Sequence, residues 1–131
     1  MPMLELKIII SVLCALGLYA SVFMFHKSGL AMAGKLAEPS VVQRPAARLF
    51  LGVPNAALGL AYYLGVAAVI WLAPALCIPA IIAGTLAACV SLYLAYSLLF
   101  LTRMPCPYCW TSHAVNWLLV PCIIYFCKFL Q

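Results

Sequence analysis

Residues 49–102 run for 54 positions without an Asp, Glu, Lys or Arg. No single buried helix needs so long an uncharged tract, and on a water-soluble fold it would expose a wide apolar surface. A bilayer core of about 30 Å is crossed by ~20 helical residues, so the tract holds two spans. It divides at residues 74–79 (PALCIP), where two prolines five apart stop one helix and favour a short turn. The expected spans are residues 55–73 and 79–101. A further uncharged stretch, residues 8–25, lies between Lys7 and the His26-Lys27 pair. No small-x-small cleavage site follows it cleanly, so it reads as a membrane helix rather than a secretory signal. A fourth span is expected over residues 106–127, just before Lys128.

Composition agrees: 69% of the 131 residues are hydrophobic and 7% charged, where a soluble domain carries about a quarter charged residues. The apolar runs are unbroken, without the alternation of a membrane β-barrel. Backbone polar groups in lipid must be satisfied within their own segment. The expected fold is therefore an all-α membrane protein, a single domain forming one four-transmembrane-helix bundle in the lipid bilayer. Seven Lys and Arg against two acids give a net charge of +5, too sparse for a nucleic-acid footprint. There are no internal repeats and no low-complexity tract.

One connection is long. Residues 26–54, between helices 1 and 2, hold His26, Lys27, Lys35, Glu38, Arg44 and Arg48, nearly all the charge of the chain. A bundle with one elaborated loop usually keeps its chemistry on that loop's side. That face, with the connection before the last span, carries five basic residues; the opposite face has Lys7 and Lys128. On charge alone the long loop would be cytoplasmic.

Of seven cysteines, Cys14, Cys77, Cys89, Cys122 and Cys127 are scattered in or beside apolar helices, where cysteine packs as a small hydrophobe. The odd total argues against a disulfide-stapled scaffold. Cys106 and Cys109 differ. They form CPYC at the start of the last span, after Pro105. That spacing places the two sulfurs within disulfide reach, and a helix N-terminus favours a thiolate through its unpaired N–H groups and dipole. Pro107 preorganises the first turn, and Arg103 adds positive potential. A redox pair needs two sulfurs that alternate between dithiol and disulfide, one of them a ready nucleophile. A structural disulfide or half of a metal site are the other readings; zinc would want two more Cys or His ligands on this face.

Dithiol oxidation in a membrane needs an electron sink, and a quinone is the lipid-soluble candidate. Its site would be an apolar slot with one or two hydrogen-bond donors aimed at the ring carbonyls. Polar side chains inside membrane helices are candidates for that role. Asn55, opening the second span, and His113, one turn beyond Cys109, qualify. Asn55 could instead cap its helix, and His113 could bond a neighbouring carbonyl.

Two stretches resemble the vitamin K epoxide reductase family of membrane thiol oxidoreductases: residues 48–63 (RLFLGVPNAALGLAYY) and residues 104–117 (MPCPYCWTSHAVNW). The four-span layout with a long first loop extends the resemblance over most of the chain. It implies that Cys109 passes electrons to the quinone and that Cys106 exchanges disulfides with the next thiol in the relay. Asn55 stands where the family hydrogen-bonds the quinone, and His113 where animal members have a tyrosine. Tyr63 and Gly59 match the pocket wall. Microbial members of such a family oxidise thioredoxin-like proteins and reduce ubiquinone or menaquinone. Family members usually carry two further cysteines in the first loop, the second near position 39 or 40 here. Residues 26–54 contain none, so either a soluble thiol partner reaches Cys106 directly or Ser40 stands in place of a cysteine. The missing pair weakens any reading as a reductase of vitamin K epoxide itself.

Most bacterial relatives place the long loop and the CxxC outside, where disulfides are made. Outward is thus the favoured orientation in a plasma membrane, against the charge count; the loop cations would then steer an acidic partner or settle on headgroups. Lys35, Arg44 and Arg48 would sit in a loop capping the site, with Gly29 and Gly34 flanking its early part. Two other classes stay open. One is a metal-handling membrane protein, with Cys14 and Cys89 facing inward beside Cys106. The other is a non-catalytic subunit whose CxxC is a remnant.

Overall fold

The computed structural model describes residues 2–131. Four helices in it are long and apolar enough to cross a membrane, and the described residues hold no strand. Helix α1 runs Met3–Met32, α2 Asn55–Leu72, α3 Cys77–Tyr96 and α4 Pro107–Leu130. Up-down-up-down connectivity puts the start of α1 and the end of α4 at one end of the bundle. The long loop and the start of α4 lie at the other.

Helix α1 passes through Lys7, His26 and Lys27, the charges that bound its uncharged stretch. Long basic side chains lay their stems along the helix and put their heads in water. The irregular loop therefore begins only at Ala33. Two short 3-10 turns, Val41–Gln43 and Pro45–Arg48, give it shape. The tight connection also differs from expectation. Residues Pro74–Leu76 form a 3-10 turn and α3 starts at Cys77, so Pro79 is the third helical residue. The first turn of a helix has no partners for its N–H groups, and a proline there breaks nothing.

At its far end α3 widens into a π-helical turn, Ser97–Thr102. It closes with Arg103 in the left-handed region, φ 52°, its N–H donating to Leu98 O at 3.0 Å. Such turns are rare and occur mostly at functional sites. This one ends four residues before α4 and aims the chain into Cys106.

Helix α1 packs along α2 and α4, and α4 along α3, whereas α2 and α3 touch little. Away from the loop the bundle is solid: Ile10, Ile70, Leu119 and Ile123 are fully buried, with Phe126 beside them. Lys7 lies 5.0 Å from the Trp71 ring, and Trp71 Nε1 donates to Ser11 Oγ at 2.9 Å, an interfacial anchor at that end.

The same end corrects the reading of the scattered cysteines. Cys77 and Cys127 form a disulfide, with Cα atoms 5.7 Å apart. It fastens the start of α3 to the end of α4. Two cysteines 50 residues apart carry no spacing signal, and the odd total hid them, because Cys14, Cys89 and Cys122 are the free ones.

Candidate active site

Toward the loop the bundle opens. A cavity of about 610 Å³ lies between the helices, walled mainly by apolar side chains of α2 and α3 and roofed by loop residues Val41, Val42, Arg44, Ala46 and Ala47. Its size is that of a small-molecule site. The sparse contact between α2 and α3 leaves room for it.

Cys106 and Cys109 are joined in a disulfide beside the cavity, Cα atoms 5.2 Å apart. Cys106 sits at the N-cap of α4, and its Sγ accepts the Cys109 N–H at 3.2 Å. Pro107 occupies the first helical position, so one of the unpaired donors is simply absent. When the bond is reduced, the Cys109 N–H and the helix dipole are left aimed at the Cys106 sulfur. The two sulfurs face different surroundings. Cys109 lines the cavity; Cys106 is 5% exposed and does not. Tyr108 between them stacks on Phe23 of α1, ring centres 3.9 Å apart, which ties the CxxC turn to that helix. Arg103 is turned back, its Nε donating to Phe100 O at 3.2 Å.

His113, one turn inside from Cys109, is buried and borders the cavity. It makes no bond to a neighbouring carbonyl: its Nδ1 has no partner. Trp110 stands edge-on to the imidazole at 6.0 Å and Trp117 lies 6.2 Å away, so aromatic faces fix the ring without using its nitrogens.

Asn55 also borders the cavity, but it does not cap its helix; Pro54 holds that position. Its Nδ2 donates to Ala46 O at 2.6 Å and its Oδ1 accepts from Leu49 N at 3.3 Å. The side chain thus staples the second 3-10 turn onto α2, with one amide hydrogen left over. Gly59 lines the cavity in close contact with α1: a Cβ there would sit 2.7 Å from Ser21 Oγ. Tyr63 is fully buried, and its ring lies over Gly17 of α1 where any side chain would collide with it.

The loop residues divide. Arg44 lines the cavity. Arg48 does not; its Nη1 donates to Gly52 O at 2.6 Å and its Nη2 to Ser28 Oγ at 3.1 Å, latching the loop to α1. Ser40 is buried outside the cavity wall, its N–H held by Gln43 Oε1 at 3.1 Å and its Oγ without a partner.

Sequence reasoning passed over Ser91, Ser112, Asn116 and Tyr62, which also line the cavity. A signal for one of them was present: Cys109, His113 and Asn116 recur at helical spacing and share a face. The metal arrangement is not assembled. Among the described residues no three His, Cys, Asp or Glu side chains converge, and Cys89 faces outward.

The described residues thus combine four membrane-length helices, a CxxC disulfide and an apolar cavity that one of its two cysteines lines. The family model for the vitamin K epoxide reductase family matches residues 8–124, and the chain belongs to that family. No curated protein sequence matches it. The family carries out membrane thiol–disulfide chemistry linked to quinones.

Proposed function

We propose that this protein oxidises the thiols of a thioredoxin-like partner through the Cys106–Cys109 disulfide and delivers the electrons to a quinone in the cavity, supporting disulfide formation. The observation that carries the reading is that one sulfur of the pair, Cys109, borders the cavity while the other does not. The residues fit such an acceptor: an apolar slot, an unpartnered imidazole nitrogen and a spare Asn55 amide hydrogen at the end where the disulfide lies.

A partner thiolate attacks Cys106 Sγ and forms a mixed disulfide, releasing Cys109 as the thiolate. The partner's second thiol resolves it, leaving the Cys106/Cys109 dithiol and an oxidised partner. Because Cys106 is buried, the helix end and loop must part to admit that thiol. A quinone supplies two carbonyls that take up two electrons and two protons. Cys109 gives up the electron pair on the cavity side, and the Cys106–Cys109 bond re-forms as the two thiol protons leave. His113 and Asn55 hold the acceptor's carbonyl edge against Cys109. Arg48 keeps the roof latched, and Arg44 lends it positive charge. Whether ubiquinone or menaquinone serves depends on headgroup fit along the α2 and α3 walls.

We place the loop face outward in the plasma membrane, where thiol partners are oxidised. Glu38, exposed in the loop, offers the check: a Glu38→Cys variant is labelled by an impermeant maleimide in intact cells if that face is outside.

The deciding assay is anaerobic quinone reduction by purified protein supplied with a dithiol, wild type beside Cys109→Ala. Turnover that vanishes in the variant supports the reading. Turnover that persists in Cys109→Ala, or its absence both in the wild type with an intact pair and in a Ser40→Cys variant, overturns it.

A further inference from the structure

The cavity holds a directional chain of hydrogen bonds across three helices. Tyr63 OH of α2 lies 2.7 Å from Asn116 Oδ1 of α4 and 3.4 Å from Ser112 O. The phenol's one proton goes to the shorter contact, which makes the amide oxygen an acceptor and turns Nδ2 outward. Asn116 Nδ2 then donates to Ser91 Oγ of α3 at 2.7 Å.

Ser91 is buried at 2% exposure and lines the cavity. A serine within a helix commonly donates back to the carbonyl four residues earlier. Ser11, Thr85 and Thr111 do so here, to Lys7 O, Ile81 O and Pro107 O. Ser91 makes no such bond; its Oγ accepts from Asn116, and among the described residues its proton has no acceptor. A buried hydroxyl proton without an acceptor is costly, and this one lies at the wall of a ligand-sized cavity.

We propose that Ser91 is a binding residue that donates a hydrogen bond to a carbonyl of the acceptor in the cavity, with Asn116 and Tyr63 as the positioning residues that aim it. This rests on the quinone reading above. A ring with carbonyls at opposite edges needs donors on two walls. The residues near Cys109 supply one, and Ser91 on α3 supplies the other.

The test uses full-length protein in nanodiscs and menadione, a quinone without a tail. Binding is read by quenching of tryptophan fluorescence, and the carbonyl stretch of bound menadione by infrared difference spectroscopy. Ser91→Ala is expected to weaken binding about tenfold and to shift one carbonyl band back toward its free position. Ser91→Thr restores both. Asn116→Ala, which lets Ser91 turn back to its own helix, gives a similar loss, and the double variant loses no more than either alone. Thr85→Ala leaves binding unchanged, and dithiol reduction of Cys106–Cys109 keeps its wild-type rate throughout. Wild-type affinity and an unshifted band in Ser91→Ala overturn the Ser91 assignment alone. A wild type that binds no menadione overturns it together with the quinone reading.

Discussion

Replacing Cys77 and Cys127 by serine removes a cross-link that closes a 50-residue segment at the solid end of the bundle. For a random chain, closure over that separation is worth about 4 kcal/mol at room temperature. In a bilayer the segment is not random. Helices α3 and α4 keep their backbone bonds when the bundle comes apart, because lipid offers those groups no other partner. The cross-link therefore restrains two rods and a joint, and the expected loss is about 2 kcal/mol. For a chain of this size that corresponds to a fall of roughly 5–10 °C in the unfolding midpoint. The assay is thermal unfolding in detergent followed by tryptophan fluorescence, with alkylation counted by mass spectrometry. Unfolded without reductant, the wild type is expected to label at Cys14, Cys89 and Cys122 only. Two further labels, on Cys77 and Cys127, would refute the cross-link. Correct labelling with an unchanged midpoint would refute the energetic argument. The active-site pair lies at the other end, so its reduction by a dithiol should be unaffected.

Other expectations follow from the cavity end. Gly17→Val drives a side chain into the Tyr63 ring; overpacking of this kind costs about 1–3 kcal/mol, and it should lower the unfolding midpoint and weaken menadione binding together. Asn55→Ala frees the second 3-10 turn from α2, and limited proteolysis within residues 44–50 should become faster while the bundle itself stays protected. Arg48→Ala loses the bonds to Ser28 and Gly52; we expect faster reaction of the partner thiol at Cys106 by a few fold, read by stopped-flow, as the roof opens more often. His113→Phe keeps an aromatic ring but removes the unpartnered nitrogen, and quinone reduction should fall at least tenfold with the dithiol step intact.

Much of the architecture was legible because lipid imposes a coarse rule. An uncharged run long enough to cross must be a helix, and only residues 74–79 and the stretch before Cys106 could interrupt the apolar tract. What escaped depends on which faces meet. Helix α1 runs past the charges that bound its uncharged stretch, because Lys7 and Lys27 can lay their stems along the helix. Two prolines five apart read as a break with the next span opening at Pro79, whereas a proline in the first turn interrupts nothing and α3 opens at Cys77. Cys77 and Cys127 could be paired only by knowing that the start of α3 and the end of α4 share one end of the bundle. Ser91 and Asn116 are single polar residues in apolar runs, and their meaning lies in facing each other. The CxxC is marked by its spacing, whereas Asn55 and His113 stand out only as polar side chains in apolar helices, with roles that the family resemblance implies; Cys109, Asn55 and His113 line one cavity.

The split surroundings of the active-site disulfide have a consequence for kinetic order. Cys109 lines the cavity and Cys106 does not, so on the proposed reaction a protein thiol and a lipid-soluble acceptor would have no need to occupy one place at one time. On the proposed reaction the sulfur–sulfur bond would act as a turnstile: it would admit an electron pair at Cys106 when the loop parts, and release it at Cys109 on the cavity side. Saturating either substrate then leaves the other's encounter untouched, and double-reciprocal plots at several fixed concentrations of the acceptor should run parallel.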